Sequence, residues 1–200
     1  RISSGMARSK QGETKAATTG GPPEHLAERL AGSLPPFRPA PVHLWNPPLT
    51  GRIDIRIDRD GGWHHEGDPI LREGLVRLFA SVLRREADGS YMLVTPVEKV
   101  AIEVADVPFL AVDLSASPSG PPLITFRTNL GEEVALDAHH PLRIDDAGGD
   151  AFIPYVTVRP GLEARLTRAV AEDLAGLAVA RAGRLGVESG GQFFVIGPLP

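Results

Sequence analysis

From Trp45 onward the chain is cut at regular intervals by turn residues, and that punctuation constrains the fold more than any other feature. Asp60-Gly61-Gly62, Asp88-Gly89 and Ser189-Gly190-Gly191 separate short segments rich in strand formers. Arg52-Ile-Asp-Ile-Arg-Ile57 is the clearest, because its alternation puts Ile53, Ile55 and Ile57 on one face of a half-buried strand. Trp63-His64-His65-Glu66 returns from the first turn as its hairpin partner, and residues 82–86 pair with 90–94 around Asp88-Gly89. Further strands are expected at 97–104, 109–114, 123–128, 133–136, 155–158 and 192–196.

Two amphipathic helical patterns interrupt the strands. Pro69 suits a first helical turn with Asp68 as N-cap, and Leu71, Leu75, Leu78 and Phe79 share a face. Pro160 opens a longer pattern over 162–180, with Leu162, Leu166, Ala169, Val170, Leu174 and Leu177 on one side. Placing Pro69 on Pro160, an offset of 91 residues, also aligns Leu71 with Leu162, Leu75 with Leu166, Arg77 with Arg168 and Phe79 with Val170. The expected class is therefore α+β, two related small domains made by internal duplication. The divisions are a flexible N-terminal arm at 1–40, an α+β domain at 41–96 and a second at 97–200. Within the arm, the first twenty residues are nearly devoid of apolar side chains and read as disordered. Residues 25–31 suit a short helix docking through Leu26 and Leu30, and the proline-dense 34–41 reads as extended.

Composition removes several function classes. Twenty-one basic against 25 acidic residues, a net charge of −4, disfavours a cationic nucleic-acid binder. Zero cysteines excludes disulfides, thiolate metal sites and cysteine nucleophiles, and fits a reducing compartment. No run is long enough to span a bilayer and the polar start lacks a signal-peptide core, so a cytoplasmic location is expected.

Catalytic patterns are missing as well. The sequence has no Gly-x-Ser-x-Gly, His-Glu-x-x-His, Gly-x-Gly-x-x-Gly or P-loop, so no enzyme activity, cofactor or metal is expected. Asp54, Asp58 and Asp60 fail as an EF-hand, since Gly61 at the sixth position makes Arg56 the first ligand and Gly67 the twelfth. His64-His65 and His139-His140 put adjacent imidazoles on opposite strand faces, so neither pair chelates alone. Ser189-Gly190-Gly191 reads either as an anion-binding nest or as a tight turn.

Several motifs in order carry a resemblance. Trp45-Asn-Pro-Pro48, Ile53-Asp-Ile-Arg-Ile57 with Arg59-Asp-Gly61, and Leu75-Val-Arg-Leu-Phe79 come first. Thr95-Pro-Val-Glu-Lys99, Phe126-Arg-Thr-Asn129 and Ser189-Gly-Gly191 follow. Over about residues 40 to 197 the chain resembles the bacterial proteins grouped as domain of unknown function 1285. The resemblance implies a duplicated α+β core with a C-terminal half like a pleckstrin-homology domain. It also implies a nucleotide-like ligand at the domain interface and a part in bacterial signalling. Trp63-His64-His65 departs from the pattern, placing imidazoles where an aromatic pair is expected.

The expected function is thus a non-catalytic binding protein that holds a small anionic ligand between its halves and signals to a protein partner. The alternative is a protein-interaction adaptor without a small-molecule ligand. The ligand-binding candidates are Thr95, Glu98 and Lys99 at the expected boundary, Arg127, Thr128 and Asn129 at a strand end, and Arg159 before the second helix. Arginine and lysine suit phosphate or carboxylate, and Thr or Asn can orient a sugar or base. Structural ion pairs between the halves are the competing reading of these side chains.

Overall fold

The alternation in Leu49–Ile57 makes a nine-residue strand, β1, with Ile53, Ile55 and Ile57 buried and the residues between them exposed. The computed structural model containing it describes residues 38–145 and 152–198. The expectations for residues 1–37, including the disordered start and the short helix at 25–31, lie outside the described residues.

Strand β1 pairs antiparallel with β2 (Trp63–His65), matching Ile55 to His65 and Ile57 to Trp63. The expected helix start at Asp68-Pro69 is instead strand β3 (Asp68–Pro69), whose backbone faces His65 and His64. Helix α1 (Glu73–Ser81) therefore begins later, with Arg72 at its N-cap and no side-chain cap, and Leu71 stays exposed. Its buried face carries Leu75, Val76, Phe79 and Ala80, and the Phe79 ring stacks on Trp63 at a centroid distance of 6.2 Å. Strands β4 (Leu83–Arg85) and β5 (Tyr91–Val94) form the expected hairpin, and β6 (Lys99–Val104) then runs parallel to β1. The resulting six-stranded order is β3-β2-β1-β6-β5-β4.

The second sheet repeats this plan. Strands β7 (Phe109–Ala116), β8 (Ile124–Thr128) and β9 (Glu133–Ala135) form one meander. Strands β10 (Leu142–Asp145), β11 (Ile153–Arg159) and β12 (Leu162–Leu166) form another, and β12 lies parallel to β7. The order β10-β11-β12-β7-β8-β9, counted within its own unit, is the same as that of the first sheet. In both, two three-stranded meanders join through a parallel pair of first and last strands.

The repeat lies in the strands, not in the helices that suggested it. The two first strands begin sixty residues apart, at Leu49 and Phe109, against the offset of 91. Helix α1 sits between the third and fourth strands of its unit, whereas α2 (Arg168–Gly176) follows the sixth strand of the other. The stretch expected as one helix over 162–180 splits into β12 and α2. Leu162, Ala164 and Leu166 are buried at period two, while Leu162 and Leu166 also satisfy the helical spacing, so the apolar pattern alone misleads. With two nine-residue α-helices and one three-residue 3-10 helix (Val42–Leu44) among the described residues, the protein is a two-domain, mostly-β fold with less helix than the α+β expectation implied. The boundary expected after residue 96 falls inside the first sheet, because β6 completes that sheet against β1; the sheets part between β6 and β7.

A third sheet, β13 (Val179–Arg181), β14 (Arg184–Ser189) and β15 (Gln192–Pro198), closes the chain. Ser189, 1% exposed, docks it: its hydroxyl donates to the Leu136 carbonyl at 2.7 Å and accepts from the Ile124 amide at 2.8 Å. Gly190 has φ +53, and a Cβ there would sit 2.9 Å from Cβ of Asp137, so only glycine fits. These bonds make Ser189-Gly190-Gly191 a docking turn. Ile57, Phe79, Phe109, Phe126, Leu174 and Phe194 belong to one core cluster, which joins both halves and the third sheet.

Candidate functional site

The seven side chains singled out from sequence do not converge on one cleft. Thr95 is buried and closes the turn between β5 and β6, accepting from the amides of Val97 and Glu98 at 3.2 and 3.0 Å. Glu98 accepts from the Thr50 hydroxyl at 3.2 Å, and Lys99 lies 3.7 Å from Glu86. Arg127 makes an exposed cross-strand pair with Asp113 at 2.9 Å, and its hydrogen bond holds that carboxyl below its ordinary pKa. Thr128, 1% exposed, accepts the Glu132 amide at 3.0 Å. These five hold the scaffold together.

Asn129 and Arg159 stand between the halves. The Asn129 side-chain oxygen accepts from the Leu110 amide at 3.1 Å, while the Asn129 backbone N–H donates to the Leu110 carbonyl. Its Nδ2 lies 2.8 Å from where a Cβ on Gly61 would be, and Gly61 has φ +77, so this approach needs glycine on both counts. Arg159 donates to the Ala80 carbonyl at 3.0 Å and to Glu132 at 3.1 Å, with its guanidinium 5.2 Å from the Phe109 ring centroid. It thereby supplies a cation at the C-terminal end of α1, whose last turn has no basic residue of its own.

A large cleft lies beyond Asn129, at the start of α2. It encloses about 840 Å³, a volume suited to a drug-sized ligand. Asp60 from the β1–β2 turn forms its first-half wall, and Leu110, Ile153, Leu166, Ala171 and Ala175 are among the apolar groups of the second. Phe152, 37% exposed, presents an aromatic ring at the rim.

The polar residues of its lining are Asp60, Arg165, Thr167, Arg168 and Glu172. Arg165 is fixed by a 2.6 Å bond to the Arg59 carbonyl and lies 3.7 Å from Asp106, both in the first half. Asp106 also accepts the Tyr155 hydroxyl at 3.2 Å; burial first, then this carboxylate, pushes the phenol pKa up. Thr167 caps α2 by accepting from the Val170 amide. The first amides of α2, at Arg168 and Ala169, precede the helix's own hydrogen-bond ladder. The first turn of α2 carries no acid, and its first residue is Arg168, a cation where the helix dipole favours an anion. Arg168 is 93% exposed and pairs at 2.8 Å with Glu172, also exposed. Thr167, Arg165 and Arg168 escaped the sequence reading because they fell inside an expected continuous helix. A threonine directly before an apolar-periodic run is the signal that places the boundary.

The imidazoles find local partners. His64 Nδ1 lies 3.7 Å from Asp58 and His140 Nδ1 3.1 Å from Asp137. Among the described residues no three acidic or imidazole groups come together as a metal site, and no helix is long and apolar enough to cross a membrane.

The fold and cleft define a class: a two-domain, mostly-β protein with a twice-used six-stranded plan and an interdomain recess. The chain belongs to the DUF1285 family. Residues 40–107 match the N-terminal domain of unknown function DUF1285, and 108–196 match the DUF1285 C-terminal domain. The crystal structure of a DUF1285 family protein from Silicibacter pomeroyi DSS-3 is similar at 42% identity and a TM-score of 0.80, over 87% of this chain and 95% of that one. A second, from Shewanella baltica OS155, is similar at 29% identity and a TM-score of 0.51, over 62% of this chain and 91% of that one. No curated protein matches the sequence.

Proposed function

We propose that the protein is a non-catalytic binding protein that takes a nucleotide-like ligand in the α2 cleft and communicates that state to a protein partner. The observation that carries this reading is the start of α2, where Thr167 and Arg168 line a largely apolar recess and the helix's first amides precede its own hydrogen-bond ladder. A phosphate at the start of α2 is favoured by the helix dipole and by Arg168, whose solvent-exposed bond to Glu172 is weak and readily exchanged. Phe152 offers a face for a planar base, and Leu110, held by Asn129, floors the recess. The likeness of the C-terminal half to a pleckstrin-homology domain is part of the same proposal, supported by its two meanders followed by one helix.

The apolar core that joins the halves argues against a wide hinge between them. A ligand then acts by ordering the rim, through unequal affinity for two arrangements of the Asp60 turn and α2. Calorimetric titration with adenosine monophosphate tests the reading. Wild type is expected to bind, and Ala175→Trp, which fills the recess from an exposed helix position, is expected to abolish binding without unfolding the chain. Absence of binding to a panel of nucleotides, or equal binding by the filled variant, overturns it.

A further inference from the structure

A second recess lies between the halves at the C-terminal end of α1, with chemistry unlike that of the α2 cleft. It encloses about 200 Å³, below the range of a drug-sized pocket. Three arginines line it from three separate segments: Arg38 before β1, Arg77 on α1 and Arg159 on β11. Glu132 is the one carboxylate among the residues lining it.

The arginines are held in different ways. Arg159 is fixed on both sides, by the Ala80 carbonyl and by Glu132, and its side chain is only 17% exposed. Its Nε is buried with no acceptor. Arg77 is steadied by Glu73 at 2.6 Å one turn earlier, yet keeps 41% of its side chain exposed. Its Nη2 lies 3.5 Å from where a Cβ on Gly131 would be, so the turn after β8 leaves it room. Arg38 is exposed and has no acceptor among the described residues.

Three like charges around so small a space repel one another, and with Glu132 on Arg159 and Glu73 on Arg77 the cluster keeps one positive charge in excess, that of Arg38. Guanidinium forks match the geometry of tetrahedral oxyanions. We propose that this recess binds a phosphate-sized oxyanion, inorganic phosphate or the terminal phosphoryl group of a small metabolite, and so clamps α1 to the turn after β8. The enclosed volume suits a phosphoryl group better than a whole nucleotide. The site is independent of the α2 cleft.

Isothermal calorimetry with inorganic phosphate, at ionic strength held constant with chloride, tests the assignment on the full chain. Arg77→Gln and Arg38→Gln alter exposed side chains that leave the core intact. Each is expected to weaken phosphate binding about tenfold, the loss of one charge-assisted hydrogen bond. Ala175→Trp, which fills the other cleft, is expected to bind phosphate like wild type, so failure of the nucleotide proposal does not affect this result. Glycerol 3-phosphate binding with the same Arg77 dependence assigns the site to a phosphoryl terminus, and binding of inorganic phosphate alone assigns it to the free ion. No phosphate binding by wild type, or undiminished binding by both glutamine variants, overturns the proposal.

Discussion

The two halves share a strand order but use their helices in opposite ways. In the first half α1 is inserted within the sheet's sequence, buries Phe79 against Trp63, and has a carbonyl at its C-terminal end held by Arg159 from the other half. In the second half α2 is appended after the sheet, and its amide end opens onto a cleft. Both helices link strands, α1 from β3 to β4 and α2 from β12 to β13, so what separates them is the surroundings of their ends: the C-terminal end of α1 meets Arg159, whereas the N-terminal end of α2 lines the cleft. The same scaffold thus carries one helix whose end is tied across the seam and another whose first turn lines a cleft.

The largest effects come from the shared core. Phe79→Ala and Phe126→Ala, one in each half and both fully buried, are each expected to cost about 3–5 kcal/mol. Because the core is continuous, scanning calorimetry of either variant should show one transition; two separated transitions would split the molecule into independent halves.

Glycines at the seam sharpen the comparison next. Gly61 and Gly67 both have positive φ, +77 and +87, but only Gly61 faces a neighbour, Asn129. Gly67→Ala should cost the backbone strain alone, about 1 kcal/mol, and Gly61→Ala measurably more, with denaturant unfolding as the readout. Equal costs would show that Asn129 yields without penalty.

The helix starts give a smaller contrast. Thr167→Ala removes a side-chain cap and should destabilise by about 1 kcal/mol, whereas Arg72→Ala at the other N-cap should change little. A smaller effect still is expected at Asp137 in the turn before β10. Burial raises this carboxyl, but amide hydrogen bonds from His139 and His140 outweigh it and leave the pKa below the ordinary 3.8. A lowered carboxyl pKa adds stability above the unfolded value and loses it as pH falls through the folded one. The wild type should therefore shed a small stability advantage over Asp137→Asn below about pH 4 in acid titrations followed by circular dichroism.

Much of the scaffold was legible because turns and alternation are local signals. The hairpins at Gly61 and Gly89 and the inward face of Ile53, Ile55 and Ile57 follow from residue order alone. Three things were not local. Strand β6 pairs with β1 across half a domain, so its membership of the first sheet, and with it the domain boundary, could not be read from 95–98. Residues 162–166 satisfy both periods, and only Thr167 marks the change from strand to helix. Asp68 and Pro69 carry helix-start chemistry but are claimed by pairing with β2. The candidate site fared less well: Arg159 and Asn129 do face the seam, yet the α2 cleft is assembled from Asp60, Leu110, Phe152, Arg165 and Arg168, which lie far apart in sequence.

A crystal structure of the protein grown with adenosine monophosphate tests the central claim most directly. The account predicts the phosphate at hydrogen-bond distance from the amides of Arg168 and Ala169, with the base against Phe152. Nucleotide density elsewhere on the surface, or an empty cleft with Arg168 still paired to Glu172 at saturating nucleotide, would contradict it.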